Sequence, residues 1–263
     1  MSRLAAAFAR AKAEGRKALV VYLCVGDPSL EATLVLVPAL VAAGADVVEL
    51  GIPFSDPLAD GPTIQAASQR ALGRGVTLSK VLDVVSRLRG AGVEAPLVLM
   101  GYLNLIVAMG ESLFSERAAA AGADGVIIPD LPLDEALGLR ESLGRKGLDL
   151  VLLAAPTTPP GRLKDIAQST RGFLYFVSVT GVTGARAELP PELPAMLAAA
   201  RAASPVPVAA GFGISTPEQA RSISPHADAV VVGSALVQLV HECNGEPQRP
   251  AAFVTSLVKA LTL

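Results

Sequence analysis

The sequence predicts an α/β fold in which eight parallel strands alternate with helices and close into a (β/α)8 TIM barrel. Two observations carry this expectation. Short β-branched runs recur between helical stretches along the chain, the pattern of a parallel sheet covered by helices. One turn also recurs: Gly44-Ala45-Asp46-Val47-Val48, Gly122-Ala123-Asp124-Gly125-Val126 and His226-Ala227-Asp228-Ala229-Val230 each join a helix end to a strand start. That is the echo expected of a repeated βα unit. No linker or low-complexity stretch interrupts the pattern, so residues 1–263 are expected to form a single domain.

The elements follow in order. Leu4, Ala7, Phe8 and Ala11 stand at helical spacing and Gly15 stops them, giving a covering helix over 1–15. Residues 18–24 make the first strand, and Gly26-Asp27-Pro28 turns into a helix over 29–43 that ends at Gly44, a left-handed cap. Residues 46–50 are the second strand. Helices over 62–72 and 78–91 are separated by Gly73-Arg74-Gly75. The third strand is 96–101, followed by a helical stretch over 103–121 with a break at Gly110. Strand 125–128 and helix 134–144 come next, then strand 148–155, helix 160–170 and strand 173–178. A glycine-hinged lid is expected at 177–190, around Gly181-Val182-Thr183-Gly184. Helix 191–203, strand 206–210, helix 216–223, strand 229–232 and helices 234–242 and 250–261 complete the chain.

Composition narrows the function. Hydrophobic residues are 51% of the chain and mean hydropathy is +0.50, which Ala-rich helices on strands buried from both sides account for. The longest apolar run, 34–45, is broken by Pro38 and falls short of the roughly 20 residues a membrane span needs. Arg3, Arg10, Lys12 and Glu14 leave no apolar core for a signal peptide, so a soluble cytoplasmic protein is expected. The net charge of −2 comes without a basic stripe, which argues against nucleic acid. Cys24 and Cys243 make no disulfide framework, and His226 and His241 are too few for a histidine-rich metal site. No metal is expected.

The chemistry concentrates in residues 47–62, Val-Val-Glu-Leu-Gly-Ile-Pro-Phe-Ser-Asp-Pro-Leu-Ala-Asp-Gly-Pro. Glu49 interrupts a strand expected to be buried on both faces, where a carboxylate is expensive. Pro53, Pro57 and Pro62 stiffen the loop that follows and return Asp60 towards Glu49, a plausible acid/base pair. Asp60 also reads as a turn or cap residue before Pro62, and Asp56 as a turn or contact residue. If Glu49 faces the barrel interior, so do Val47 and Gly51. Tyr22, Met100, Ile127, Leu153 and Tyr175 then share its mouth, either as a slot for a flat aromatic ligand or as ordinary core layers. After the last two strands, Ala210-Gly211-Phe212-Gly213-Ile214-Ser215 and Val232-Gly233-Ser234-Ala235 have the glycines and helix start that suit a phosphate. A dinucleotide fingerprint fails, because Thr216 occupies the place of the third glycine.

Residues 47–70 closely resemble the signature of tryptophan synthase α subunits. The resemblance continues through Gly101-Tyr102-Leu103-Asn104, Pro129-Asp130-Leu131-Pro132, Gly181–Gly184 and Gly211–Ile214. It implies retro-aldol cleavage of indole-3-glycerol phosphate to indole and glyceraldehyde 3-phosphate. It also implies an αββα heterotetramer with a pyridoxal-phosphate β subunit that takes the indole, this chain carrying no cofactor itself. Glu49 is implied as the general acid/base and Asp60 as the carboxylate holding the indole N–H. Substrate contacts are implied for Tyr22, Met100, Tyr102, Ile127, Leu153, Tyr175, Thr183, Gly184, Phe212, Gly213, Gly233 and Ser234. Pro53, Asp56, Asn104, Asp130 and Pro132 are implied to meet the β subunit. Tyr22 stands where such proteins commonly have Phe, Met100 where they have Leu, and Val179 where an Arg often follows the serine. An indole-glycerol-phosphate synthase would want a strand-end lysine and a sugar-phosphate epimerase metal-binding histidines; neither is present. A non-catalytic barrel would be favoured by loss of either acid, and both remain.

Overall fold

The computed structural model describes residues 2–177 and 191–262; the expected lid at 177–190, with Thr183 and Gly184, lies outside them except for Val177. Helix α1 (Arg3–Ala13) starts at Ser2, whose hydroxyl accepts from the Ala5 N–H. The strands are β1 (Ala18–Cys24), β2 (Val47–Gly51), β3 (Leu97–Met100), β4 (Gly125–Ile127), β5 (Asp149–Val151), β6 (Leu153–Ala154), β7 (Leu174–Val177), β8 (Val208–Gly211) and β9 (Ala229–Val232). They lie in the order β5-β4-β3-β2-β1-β9-β8-β7-β6, and every pairing is parallel.

The described residues thus hold nine strands where eight were expected. The difference is local. The fifth expected strand, 148–155, is divided at Leu152, whose N–H donates to Thr170 Oγ1 at 2.9 Å instead of to a neighbouring strand. Its first half pairs with β4 and its second with β7, so the continuous stretch Asp149–Ala154 bridges the two ends of the sheet and closes the barrel. A second correction concerns the helix expected at 134–144. The chain first makes a 3-10 turn, Leu133–Glu135, and then helix Leu137–Arg145. The break expected at Gly110 is present, with φ at +91° separating Leu103–Met109 from Glu111–Ala121.

Strand alternation sorts the core into an inner and an outer layer. Val20, Val47, Val98, Ile127, Val151, Tyr175, Ala209 and Val231 pack together inside the barrel with Leu4, Ala7, Phe8 and Ala11 of α1. Helix α1 therefore closes the N-terminal end, and Phe8, Phe173 and Tyr175 follow one another upwards at ring separations of 5.8 and 6.1 Å. Val48, Leu50, Leu97 and Leu99 point the other way, into the helix layer.

The repeated Asp turns have a common structural role. Asp46, Asp124 and Asp228 each accept the N–H of the first residues of a neighbouring strand, Leu19 at 2.9 Å, Leu97 at 2.9 Å and Val208 at 3.0 Å. Each also pairs with an arginine: Arg16, Arg89 and Arg201 respectively. These contacts sit at the N-terminal face, the end associated with stability in such barrels. Asp46 is 1% exposed, so Asp46→Ala leaves the Leu19 N–H unpaired and Arg16 with Glu14 as its ion-pair partner. We expect a loss of about 3 kcal/mol, read as a lower urea midpoint with an unchanged slope.

Candidate functional site

Glu49 lies on the inner face of β2, level with Tyr22 of β1 and Val98 of β3. Its side chain is wholly buried, and neither carboxyl oxygen has a hydrogen-bond partner among the described residues. Burial alone pushes its pKa up from 4.5 to about 8. No strand residue among the described ones supplies a cation to offset that burial, so the acid keeps its proton near neutrality.

Asp60 comes from the proline-bounded loop after β2. The Tyr102 hydroxyl donates to Asp60 Oδ2 at 3.1 Å and accepts from the Ala59 N–H at 3.0 Å. Phe54 stacks on the same tyrosine, 5.1 Å between ring centres. Burial raises the Asp60 pKa to about 6, and the Tyr102 hydrogen bond holds it back. Near pH 7 the site therefore holds one carboxylic acid and one carboxylate, a division of roles made by environment. Tyr102 thus acts on Asp60 itself, which spacing along the chain did not indicate.

The loop is braced by the helix Pro62–Gly73 in a way the sequence reading missed. Gln65 Nε2 donates to the Asp60 carbonyl at 2.8 Å and Gln69 Nε2 to the Ser55 carbonyl at 3.3 Å. The two amides stand four residues apart on one helix face just after the loop, a spacing that could have announced them. Arg70 pairs with the buried Asp27, tying the same helix to the turn after β1.

The expected pocket residues divide. Met100, Ile127, Leu153 and Tyr175 belong with the inner layer. Tyr22 is 7% exposed and runs across β2: a Cβ on Gly51 would fall 2.0 Å from its hydroxyl. Tyr175 occupies a similar notch against Gly211, where a Cβ would meet its ring at 2.7 Å. Burial above all, with Cys24, Asp60 and Glu49 adding for Tyr22 and Glu49 and Asp60 for Tyr175, raises both phenols well above their usual pKa, so they stay protonated. Leu153 also lines a separate cavity of about 300 Å³ with Pro129, Asp130, Pro132, Leu152 and Arg162. Cys24, pushed up to about 12 by burial, remains a thiol.

At the ends of β8 and β9, Gly211, Phe212 and Gly233 are half-buried and Gly213, with φ at +66°, is exposed. Gly233 precedes helix Ser234–Glu242, which no side chain caps. Its first N–H groups thus face the mouth side of the barrel without side-chain partners, the arrangement that suits an anion. Asp56, Asn104, Asp130 and Pro132 are exposed; Pro53, expected on the same outer surface, is buried. No cluster of His, Cys, Asp and Glu able to hold a metal occurs among the described residues.

The family model described as tryptophan synthase alpha chain matches residues 8–261. The tryptophan synthase alpha chain of Geobacter sulfurreducens is 49% identical over 263 residues, covering 99% of each chain. The crystal structure of the alpha chain from Legionella pneumophila is 40% identical with a TM-score of 0.90, covering 99% of this chain and 97% of that one. A chain of Mycobacterium tuberculosis tryptophan synthase is 38% identical with a TM-score of 0.92, covering 100% and 99%.

Proposed function

The chain belongs to the tryptophan synthase alpha chain family, and from that premise we propose that Glu49 and Asp60 carry out its lyase reaction. The substrate is indole-3-glycerol phosphate, which is cleaved to indole and D-glyceraldehyde 3-phosphate for L-tryptophan synthesis. The supporting observation is a wholly buried Glu49 with unpartnered carboxyl oxygens, accompanied at an apolar barrel mouth by an Asp60 carboxyl that the Tyr102 hydroxyl orients.

Glu49 starts as the acid. It gives its proton to the ring carbon that carries the side chain, and positive charge develops on the indole nitrogen. The Asp60 carboxylate, oriented by Tyr102, accepts the N–H hydrogen bond and stabilises that charge. Glu49, now a carboxylate, takes the proton of the adjacent side-chain hydroxyl. The oxygen electrons form the aldehyde C=O, the C–C bond breaks, and its pair returns to the ring to neutralise the nitrogen. Indole leaves with the new hydrogen, and Glu49 is protonated again. Gly211–Gly213 and Gly233-Ser234 hold the phosphate through backbone N–H groups.

The indole passes to a tryptophan synthase beta subunit, in a cytoplasmic heterotetramer of two alpha and two beta chains with pyridoxal phosphate only in beta. The rim suits such a partner: Leu58, 93% exposed, and Val107, 58% exposed, accompany Asp56, Asn104, Asp130 and Pro132. No helix among the described residues is long and apolar enough to cross a membrane. The test is indole release from indole-3-glycerol phosphate by the purified chain, with and without a beta subunit; no release under either condition removes the assignment. Tyr102→Phe deletes the donor that holds the Asp60 pKa down. Its acid limb should therefore move above pH 6, with kcat/KM at pH 6.5 reduced about tenfold. An unmoved limb would detach Tyr102 from Asp60.

A further inference from the structure

We propose that the Tyr22 hydroxyl is a specificity-determining group that binds the hydroxylated three-carbon linker of the substrate, an inference resting on the reading just given. The sheet order supplies the route. Glu49 is on β2, the phosphate loops follow β8 and β9, and β1 lies between β2 and β9. A ligand with its reacting carbon at Glu49 and its phosphate at Gly233 must carry the linker across the end of β1. Tyr22 is the aromatic side chain there, and its Cβ lies 3.6 Å from where a Gly233 Cβ would be. Its ring reaches the other way, bringing the hydroxyl over Gly51, one inward position beyond Glu49. The phenol thus spans the gap between the two groups that fix the ends of the ligand.

The hydroxyl is also available to a ligand. Tyr22 is 7% exposed, and no hydrogen bond to its oxygen exists among the described residues, in contrast to Tyr102, whose hydroxyl both donates and accepts. A phenol can donate one hydrogen bond and accept others, and the linker hydroxyls are acceptors and donors of the right chemistry at that place. Glu49 is level with Tyr22 across the pairing of β1 and β2, which places the phenol beside the reacting end of the ligand. Gly51 is required for the arrangement, because any side chain there would displace the hydroxyl.

The test compares two ligands on Tyr22→Phe, a change that keeps the ring. One is indole-3-glycerol phosphate, read as KM; the other is indole-3-propanol phosphate, which keeps ring and phosphate but lacks the linker hydroxyls, read as Kd by calorimetry. The expected result is a KM raised about five- to tenfold, with the analogue's Kd unchanged within twofold. Equal weakening of both ligands would make Tyr22 a packing residue, and an unchanged KM would make its hydroxyl idle; either overturns the proposal. Failure of the wild-type chain to release indole at all would instead strike the lyase assignment beneath it.

Discussion

Glu49→Gln lowers indole release by about a thousandfold or more, within the range of a lost general acid/base, while the circular dichroism spectrum stays that of the wild type. The substitution is nearly isosteric, and neither carboxyl oxygen has a described partner to lose. What disappears is a proton that can be given to carbon and taken back from oxygen. Turnover within tenfold of wild type would remove Glu49 from this role. The same variant separates chemistry from stability. A carboxyl with pKa 4.5 unfolded and about 8 folded binds its proton more tightly in the fold. Below pH 4.5 that preference costs nothing; as pH rises from 4.5 to 8 stability falls, by a few kcal/mol in all, and then levels off. Glu49→Gln has no proton to lose, so it should melt higher than wild type at pH 9 and about equally at pH 4.5. A catalytic residue whose removal stabilises the protein is the pattern expected of a site held against its own desolvation.

Asp60→Asn is expected to reduce kcat/KM by about a hundredfold or more, the scale of losing one charge-stabilising group in a water-poor site. The amide can still contact the indole N–H through its oxygen, so binding of an unreactive analogue should weaken far less than turnover. The pH profile discriminates further. In the wild type, kcat/KM should rise as Asp60 ionises near pH 6 and fall as Glu49 ionises near pH 8. Asp60→Asn should erase the rising limb and leave the falling one. An unchanged bell would assign the acid limb to another group.

Much of this was legible in the chain. β-branched runs and Gly-Ala-Asp turns gave the barrel because they report directly on strand burial and on the helix-to-strand turn. Glu49 stood out because a carboxyl amid Val47, Val48 and Leu50 has no inexpensive explanation. The division of the fifth strand was not legible, since it depends on Thr170, eighteen residues away, capturing the Leu152 N–H. The role of Tyr102 as the partner of Asp60 was hidden for the same reason: the contact spans forty-two positions. Gln65 and Gln69 were available to spacing arguments and went unread because amides on an exposed helix usually face water.

The stack of Phe8, Phe173 and Tyr175 above the α1 plug gives the vessel an apolar floor among the described residues. Hydronium and hydroxide are therefore expected to reach the buried acid from above, on the side where the ligand sits. Once it is seated, the hydrogen that leaves for the ring can be replaced only from the ligand's own alcohol, so isotope from bulk water enters the products between turnovers rather than during them.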